Sequence, residues 1–78
     1  MNTFTEHDLV VLANDKSQEG LRSGDIGTIV HAYENPEKFE VEFSTASGNT
    51  VAVLNLDVND IRPVNDSDIF HARLRRAS

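Results

Sequence analysis

The strongest constraint on the fold is a short segment in which apolar and acidic residues alternate strictly. Residues 39–43 read Phe-Glu-Val-Glu-Phe. Because successive side chains of a β-strand point to opposite faces, this pattern places three apolar side chains on one face and two carboxylates on the other. Just upstream, Gly24 and Gly27 precede a run of β-branched residues and mark a tight turn into a strand. Together these segments predict a small, strongly bent antiparallel sheet.

Turn-forming residues divide the rest of the chain into short strands. The loop at 15–24 is rich in Gly, Ser, Asn and Asp, with Leu21 expected to pack onto the sheet, and a hairpin loop at 45–49 is expected to have Gly48 in the left-handed conformation. A single helical turn is expected at 57–60. The predicted strands are 9–12, 27–33, 39–44, 50–56 and 61–64. Five short strands of this kind predict an all-β fold, a partly open antiparallel barrel.

Length and composition limit the classes of protein that remain. The 78 residues predict one domain with a thin core, and 13 acidic residues against 7 basic ones give a net charge of −6. The chain has no cysteine, no run of roughly 18 apolar residues and no signal peptide at its start. We therefore expect a cytoplasmic protein with no disulfide, no thiolate chemistry and no membrane segment.

The chain changes character after residue 64, which gives a predicted boundary between a barrel at 1–64 and an appendage at 65–78. Polar and acidic residues at 65–68 are followed by Ile69, Phe70 and Leu74 among several arginines. This pattern is compatible with about two helical turns, with an extended segment, or with a frayed and partly disordered terminus. The three apolar side chains would then dock on the barrel or on a second chain.

A family resemblance rests on three stretches of the sequence. The glycine-paced segment 20–31, the alternating strand 39–43 and the Asp-Ile-Arg-Pro-Val ending of 54–64 occur in the order typical of small bacterial proteins known as domain of unknown function 4926. The glycine step is also similar to the KOW motif of SH3-like barrels and to the barrel of the nitrile hydratase β subunit. The resemblance covers about residues 8–64 and implies an SH3-like barrel, but it transfers no catalytic residue.

The residues that carry chemistry are not arranged as a reactive site. His7, His31 and His71 are far apart in sequence, and the acidic turn at 57–60 lacks the glycine and glutamate of a calcium loop. Glu40 and Glu42 share a solvated strand face, so the pKa of neither carboxyl is expected to be shifted for acid–base catalysis. The sequence also has no Gly-x-Ser-x-Gly elbow for a serine nucleophile. We predict no catalytic residue, no metal site and no cofactor.

Protein binding fits the sequence best. The segment 50–56 is apolar on both faces, and if Val51 and Val53 fill the core, Ala52, Leu54 and Leu56 need a cover. The alternative is that strong curvature buries both faces within the barrel. An apolar strip rimmed by acids predicts a basic or amphipathic protein partner. The predicted partner-binding residues are Tyr33, Glu34, Glu37, Glu40, Glu42, Leu54, Ile69, Phe70 and Leu74.

Three functions remain open from the sequence. The leading one is a non-catalytic protein-interaction module, for example an accessory or antitoxin-like protein that masks its partner. The second is an RNA- or DNA-binding barrel that uses Arg22, Lys16 and Lys38 with Tyr33 and Phe39 as stacking residues, although the acidic hairpin argues against a phosphate backbone. The third is a homo-oligomer built from the apolar strip and the tail. The acids are also compatible with a purely solubilising role.

Overall fold

The computed structural model describes residues 4–34 and 36–74. Predictions that fall on Asn35 in the first hairpin turn, and on Arg75 and Arg76 in the tail, lie outside the described residues. The strands are β1 (Leu9–Leu12), β2 (Ile26–Glu34), β3 (Glu37–Ser44), β4 (Thr50–Leu56) and β5 (Ile61–Pro63), with one short 3-10 turn at Ser17–Glu19. Within the described part of the chain, no helix is long and apolar enough to cross a bilayer.

All five strands belong to one antiparallel sheet in the order β4-β3-β2-β1-β5. β1 joins the two ends of the chain in the sheet, because it pairs with β2 on one side and with β5 on the other. No ladder joins β4 to β5 in residues 4–34 and 36–74, so the sheet curls without closing. The prediction of an all-β, SH3-like and partly open five-stranded barrel is confirmed.

The alternating strand forms the centre of the core, as its pattern predicted. Phe39, Val41 and Phe43 are all buried. The ring of Phe39 meets that of Phe4 edge to face, with the ring centroids 5.5 Å apart. Leu21 is also buried, as expected. The other buried apolar residues around them are Val10, Leu12, Ile29, Leu56 and Ile61.

A bulge in β2 decides which of two neighbouring residues enters the core. Ile29 pairs with Val41, and the next pair joins His31 to Glu40, so Val30 is the extra residue. Because a bulge places an additional residue on one strand, the alternation of faces is interrupted there. Ile29 is fully buried and Val30 is exposed.

A second bulge changes which side chains of β4 face the core. The pairs Phe43–Ala52 and Ser44–Thr50 leave Val51 without a partner. Beyond the bulge, Leu56 is buried, whereas Val53 faces outward. The expectation that Val53 fills the core while Leu54 and Leu56 need a cover is therefore wrong. Val51, Ala52 and Leu54 are partly buried against the core cluster.

Gly27 is required by close packing between strands. A Cβ atom built on it would lie 2.6 Å from Cγ1 of Val41 and 2.8 Å from Cε1 of Phe43. Those distances are far inside van der Waals contact, so the absence of a side chain lets β2 approach β3 over the core. Gly48 has a φ of 92°, which confirms the expected left-handed residue of the second hairpin.

The chain after β5 turns back without forming a helix. Residues 65–68 make a turn in which the Asp68 amide donates to the Asn65 carbonyl at 3.0 Å. Arg62 holds this turn with two hydrogen bonds to the Asp68 carboxylate, at 2.9 and 2.7 Å. Residues 69–74 have no regular secondary structure, so the helical alternative for the tail is wrong over the described residues. The extended alternative describes them.

Candidate functional site

The C-terminal segment, residues 69–74, returns to the barrel and is held there mainly by the Asp25 carboxylate. Arg73 donates from Nε to Oδ1 of Asp25 at 3.0 Å and from Nη2 to Oδ2 at 2.6 Å. The same Nη2 donates to the Gly20 carbonyl at 2.9 Å. Nε2 of His71 lies 3.1 Å from Oδ1 of Asp25. We call this group of contacts the Asp25 clamp.

The loop before β2 fixes the position of the Asp25 carboxylate. The Arg22 amide donates to Oδ2 of Asp25 at 2.8 Å, and the Asp25 amide donates back to the Arg22 carbonyl at 3.0 Å. Gly24 has a φ of 98°, and a Cβ on it would lie 3.3 Å from Cε1 of His71. The glycine therefore provides both the backbone turn and the space in which the His71 ring lies.

The environment of Asp25 favours its charged form. Asp25 is only 9 % exposed, and no other charged residue among those described is buried to this extent. Burial by itself raises the pKa of the Asp25 carboxyl, but the hydrogen bonds from Arg73 and from the Arg22 amide outweigh it and hold that pKa below its ordinary value. The same hydrogen bond raises the pKa of Arg73. Both partners are thus charged at neutral pH.

The clamp leaves the apolar side chains of the C-terminal segment in solvent. Ile69 is 93 % exposed, Phe70 is 62 % exposed and Leu74 is 94 % exposed. The expectation that these three side chains dock on the barrel is wrong, because the polar residues between them make the contacts instead. Their docking on a second chain stays a prediction.

A half-open cleft of about 490 Å³ lies beside the C-terminal segment. Its barrel side is mostly apolar, and its other side is the segment itself. The residues that line it include Leu21, Ile26, Phe43, Ala46 and Val51 from the barrel, with His71, Arg73 and Leu74 from the segment. Asp25 also lines the cleft, so a charged group and apolar surface adjoin each other.

The predicted acidic residues lie on a different surface. Glu34 and Glu37 are exposed, and they are opposite each other in the strand register at the end of the β2–β3 hairpin. Tyr33 donates from its hydroxyl to Oε2 of Glu40 at 2.9 Å, which raises the pKa of Tyr33. Glu42 accepts a hydrogen bond from the Thr50 hydroxyl. None of the four acids lines the cleft.

The structure therefore divides the predicted binding residues between two surfaces. Tyr33 and the four glutamates lie on the β2–β3 hairpin, with Tyr33, Glu40 and Glu42 on its outer face and Glu34 and Glu37 at its end. Ile69, Phe70 and Leu74 belong to the C-terminal segment. Leu54 joins neither, because its side chain is partly buried against the core. It offers less contact surface than the sequence suggested.

Two of the three cations considered for nucleic-acid binding are paired with acids, and the third, Arg22, is exposed. Lys16 is paired with Asp60 at 3.2 Å, and Lys38 lies 3.8 Å from Asp57. Phe39, one of the two stacking candidates, is 1 % exposed. For metal ions, residues 4–34 and 36–74 contain no cluster of three histidine, cysteine or carboxylate side chains.

Sequence reasoning missed the clamp. In the sequence, Asp25 is one residue of the glycine-paced segment 20–31, and Arg73 is one of several arginines near the C-terminus. The two residues are 48 positions apart. No local pattern links positions so distant, because the contact depends on how the tail returns across the finished barrel. The one local sign is that Asp25 lies between Gly24 and Gly27 at the start of an otherwise apolar strand, where an acid is unexpected.

The fold and the site define a small all-β protein whose open barrel carries a clamped C-terminal segment. The model of the family described as Domain of unknown function (DUF4926) matches residues 6–63, and the chain belongs to that family. No curated protein and no solved structure is similar enough to match it. The matched region contains Asp25, Gly20 and the barrel side of the cleft, and it ends before the C-terminal segment.

Proposed function

We propose that the protein is a non-catalytic protein-interaction module whose main contact surface is the C-terminal segment. The observation that carries the proposal is the outward orientation of Ile69, Phe70 and Leu74 on a segment whose polar residues are bound to the barrel. Large apolar side chains grouped on a protein surface are typical of interaction sites. The sequence had put the same three residues in a partner-binding role.

The energetics favour such a role for the segment. Complete burial of one large apolar side chain is worth roughly 1.5–3 kcal/mol, so three of them supply a useful share of a binding free energy. Arg73 and His71 already restrain the segment before a partner arrives. A restrained segment loses less conformational entropy on binding than a free tail does.

The charge of the protein favours a basic or amphipathic partner. The net charge is −6, and Glu34, Glu37 and Glu40 lie at or near one hairpin. An acidic surface of this kind accelerates the approach of a basic protein and makes the association rate fall with added salt. A small accessory or antitoxin-like protein that covers a basic partner is one concrete form of this function.

The proposal is tested by affinity capture from a nuclease-treated lysate of the host at low salt. The tagged full-length chain is compared with a triple variant carrying Ile69→Ser, Phe70→Ser and Leu74→Ser. A second triple variant, Leu9→Ser, Val53→Ser and Val58→Ser, is the matched control, because these three residues are also exposed apolar side chains but lie away from the segment. Circular dichroism establishes that all three proteins are folded.

We expect one protein to be enriched by the wild type and by the control variant, and lost with the variant of the C-terminal segment. Enrichment of the same protein by both triple variants would show that the contact surface lies outside the C-terminal segment. Recovery of the tagged chain alone at every salt concentration would contradict the proposed function itself.

A further inference from the structure

We propose that Asp25 and the adjoining cleft form a binding site for an arginine-bearing segment of a partner protein, and that Arg73 occupies this site in cis. The inference goes beyond the proposed function, because it concerns the site that the segment covers when docked and not the apolar face of the docked segment. Its test uses a defined peptide, so it can fail while the proposed function holds, and the reverse is also true.

The first observation is that the site already binds a guanidinium group at two of its three nitrogens. The planar fork of Arg73 meets both carboxylate oxygens of Asp25, and its Nη2 also reaches the Gly20 carbonyl. Arginine suits this geometry because its N–H groups lie in one plane at fixed spacing, whereas the lysine ammonium is a point charge. The turn at 22–25 positions the acceptor independently of the tail, through its own hydrogen bonds.

The second observation is that the tail is held almost entirely by these polar contacts. Its three large apolar side chains face solvent, so little apolar packing would be lost if the segment left the barrel. The barrel side of the site also lies within the region that the family model matches, whereas Arg73 lies beyond it. An arginine from another chain would therefore replace Arg73 by like-for-like exchange of hydrogen bonds.

The third observation concerns what flanks the carboxylate. The cleft beside Asp25 is lined by Leu21, Ile26, Phe43 and Val51, and it is large enough for one or two apolar side chains. The body of the protein is acidic, with a net charge of −6 for the chain. These features favour one occupant, an extended segment with an arginine next to apolar residues. The segment 69–74 of this chain has the same composition.

The probe is the peptide fluorescein-Ile-Phe-His-Ala-Arg-Leu-amide, which has the sequence of residues 69–74. Its binding is measured by anisotropy to the full-length wild type, to Arg73→Ala and to the double variant Arg73→Ala, Asp25→Asn. A second peptide has lysine in place of arginine. Arg73 lies in a segment that contributes nothing to the core, so the single variant is expected to fold; backbone amide spectra check this for both variants.

We expect the Arg73→Ala protein to bind the arginine peptide, with shifts of the Gly20 and Gly24 amide signals. The wild type should bind the arginine peptide at least about tenfold more weakly than the Arg73→Ala protein does, because its own tethered arginine competes at high effective concentration. The lysine peptide should bind about tenfold more weakly than the arginine peptide, since the two-point contact is lost. The double variant should lose binding.

Three results would overturn the proposal. One is no binding of the arginine peptide to the Arg73→Ala protein up to millimolar concentration. Another is equal binding of the arginine and lysine peptides to the Arg73→Ala protein. This comparison does not use the Asp25 variant, so it does not depend on how well that variant folds. The third is a dimer of the wild type in sedimentation equilibrium that Arg73→Ala abolishes, because that would give the site to the tail of a second copy.

Discussion

Replacement of Arg73 by alanine should release the C-terminal segment from the barrel without unfolding it. The variant removes both hydrogen bonds to Asp25 and the one to the Gly20 carbonyl. A hydrogen bond to a charged partner is worth about 1.5–3 kcal/mol when it is well buried, whereas an exposed ion pair is worth about 0.2–1 kcal/mol. The side chain of Asp25 is 11 % exposed and that of Arg73 is 26 % exposed, so the clamp lies between these cases.

We therefore expect a loss of roughly 1–2 kcal/mol in the docking of the segment, which is about a 5- to 30-fold shift toward the released state. The assay is the heteronuclear NOE of the backbone amides of residues 69–74, and urea unfolding measures global stability in parallel. The NOE values should fall while the unfolding free energy changes little. Leu74→Ala is the control, because Leu74 is exposed and its loss leaves the clamp intact. Unchanged order of the segment in Arg73→Ala would refute the reasoning.

Three further predictions concern pH, packing and the single tyrosine. The pKa of Asp25 is lowered in the folded protein, where His71 and Arg73 face this carboxylate. Docking of the segment should therefore be complete above about pH 4 and should be lost as the pH falls through the pKa of Asp25 in the folded protein. The Gly24 amide signal measures this change. Gly27→Ala should lower the free energy of unfolding by about 1–3 kcal/mol in urea titrations, because the new methyl group overlaps Val41. Glu40→Gln should move the pKa of Tyr33 down toward its ordinary value, measured by ultraviolet absorbance at alkaline pH.

Each of these three predictions has a result that would contradict it. Docking of the segment that persists unchanged in acid strong enough to protonate Asp25 would show that the Asp25 charge does not hold it. A Gly27→Ala protein as stable as the wild type would mean that β2 and β3 separate at little cost. For the tyrosine, Glu42→Gln is the matched control, because Glu42 bonds to Thr50 instead. An equal effect of both glutamine variants on the Tyr33 titration would remove the specific role of Glu40.

The strands were predictable because their signals are local. The alternation at 39–43 reports directly which side chains face the core, and the observed strand contains that segment with all three apolar residues buried. The bulges at Val30 and Val51 were not resolved by the sequence. A bulge changes which residue of a strand has no partner, and neighbouring valines and isoleucines have the same preference for either position.

The tail was harder to predict for a related reason. The sequence of residues 65–76 combines capping residues, apolar residues and arginines in an order that suits a short helix, but a helix of two turns is marginal unless something packs against it. In the structure the hydrogen bonds of Arg73 and His71 to Asp25 hold the segment in an extended path instead. Local propensity contains no information on a carboxylate that lies 46 and 48 residues away.

The most direct test of the account is a nuclear Overhauser measurement between the His71 ring and the backbone of Gly24. In the structure Cε1 of His71 lies against the space above Gly24, 3.3 Å from where a Cβ would be. A strong contact between the His71 Hε1 and the Gly24 Hα protons, with no contact from the side chains of Ile69 or Leu74 to the barrel, is the predicted result. Absence of the first contact at neutral pH, or apolar packing of the tail on the barrel, would contradict the clamp and the proposals that depend on it.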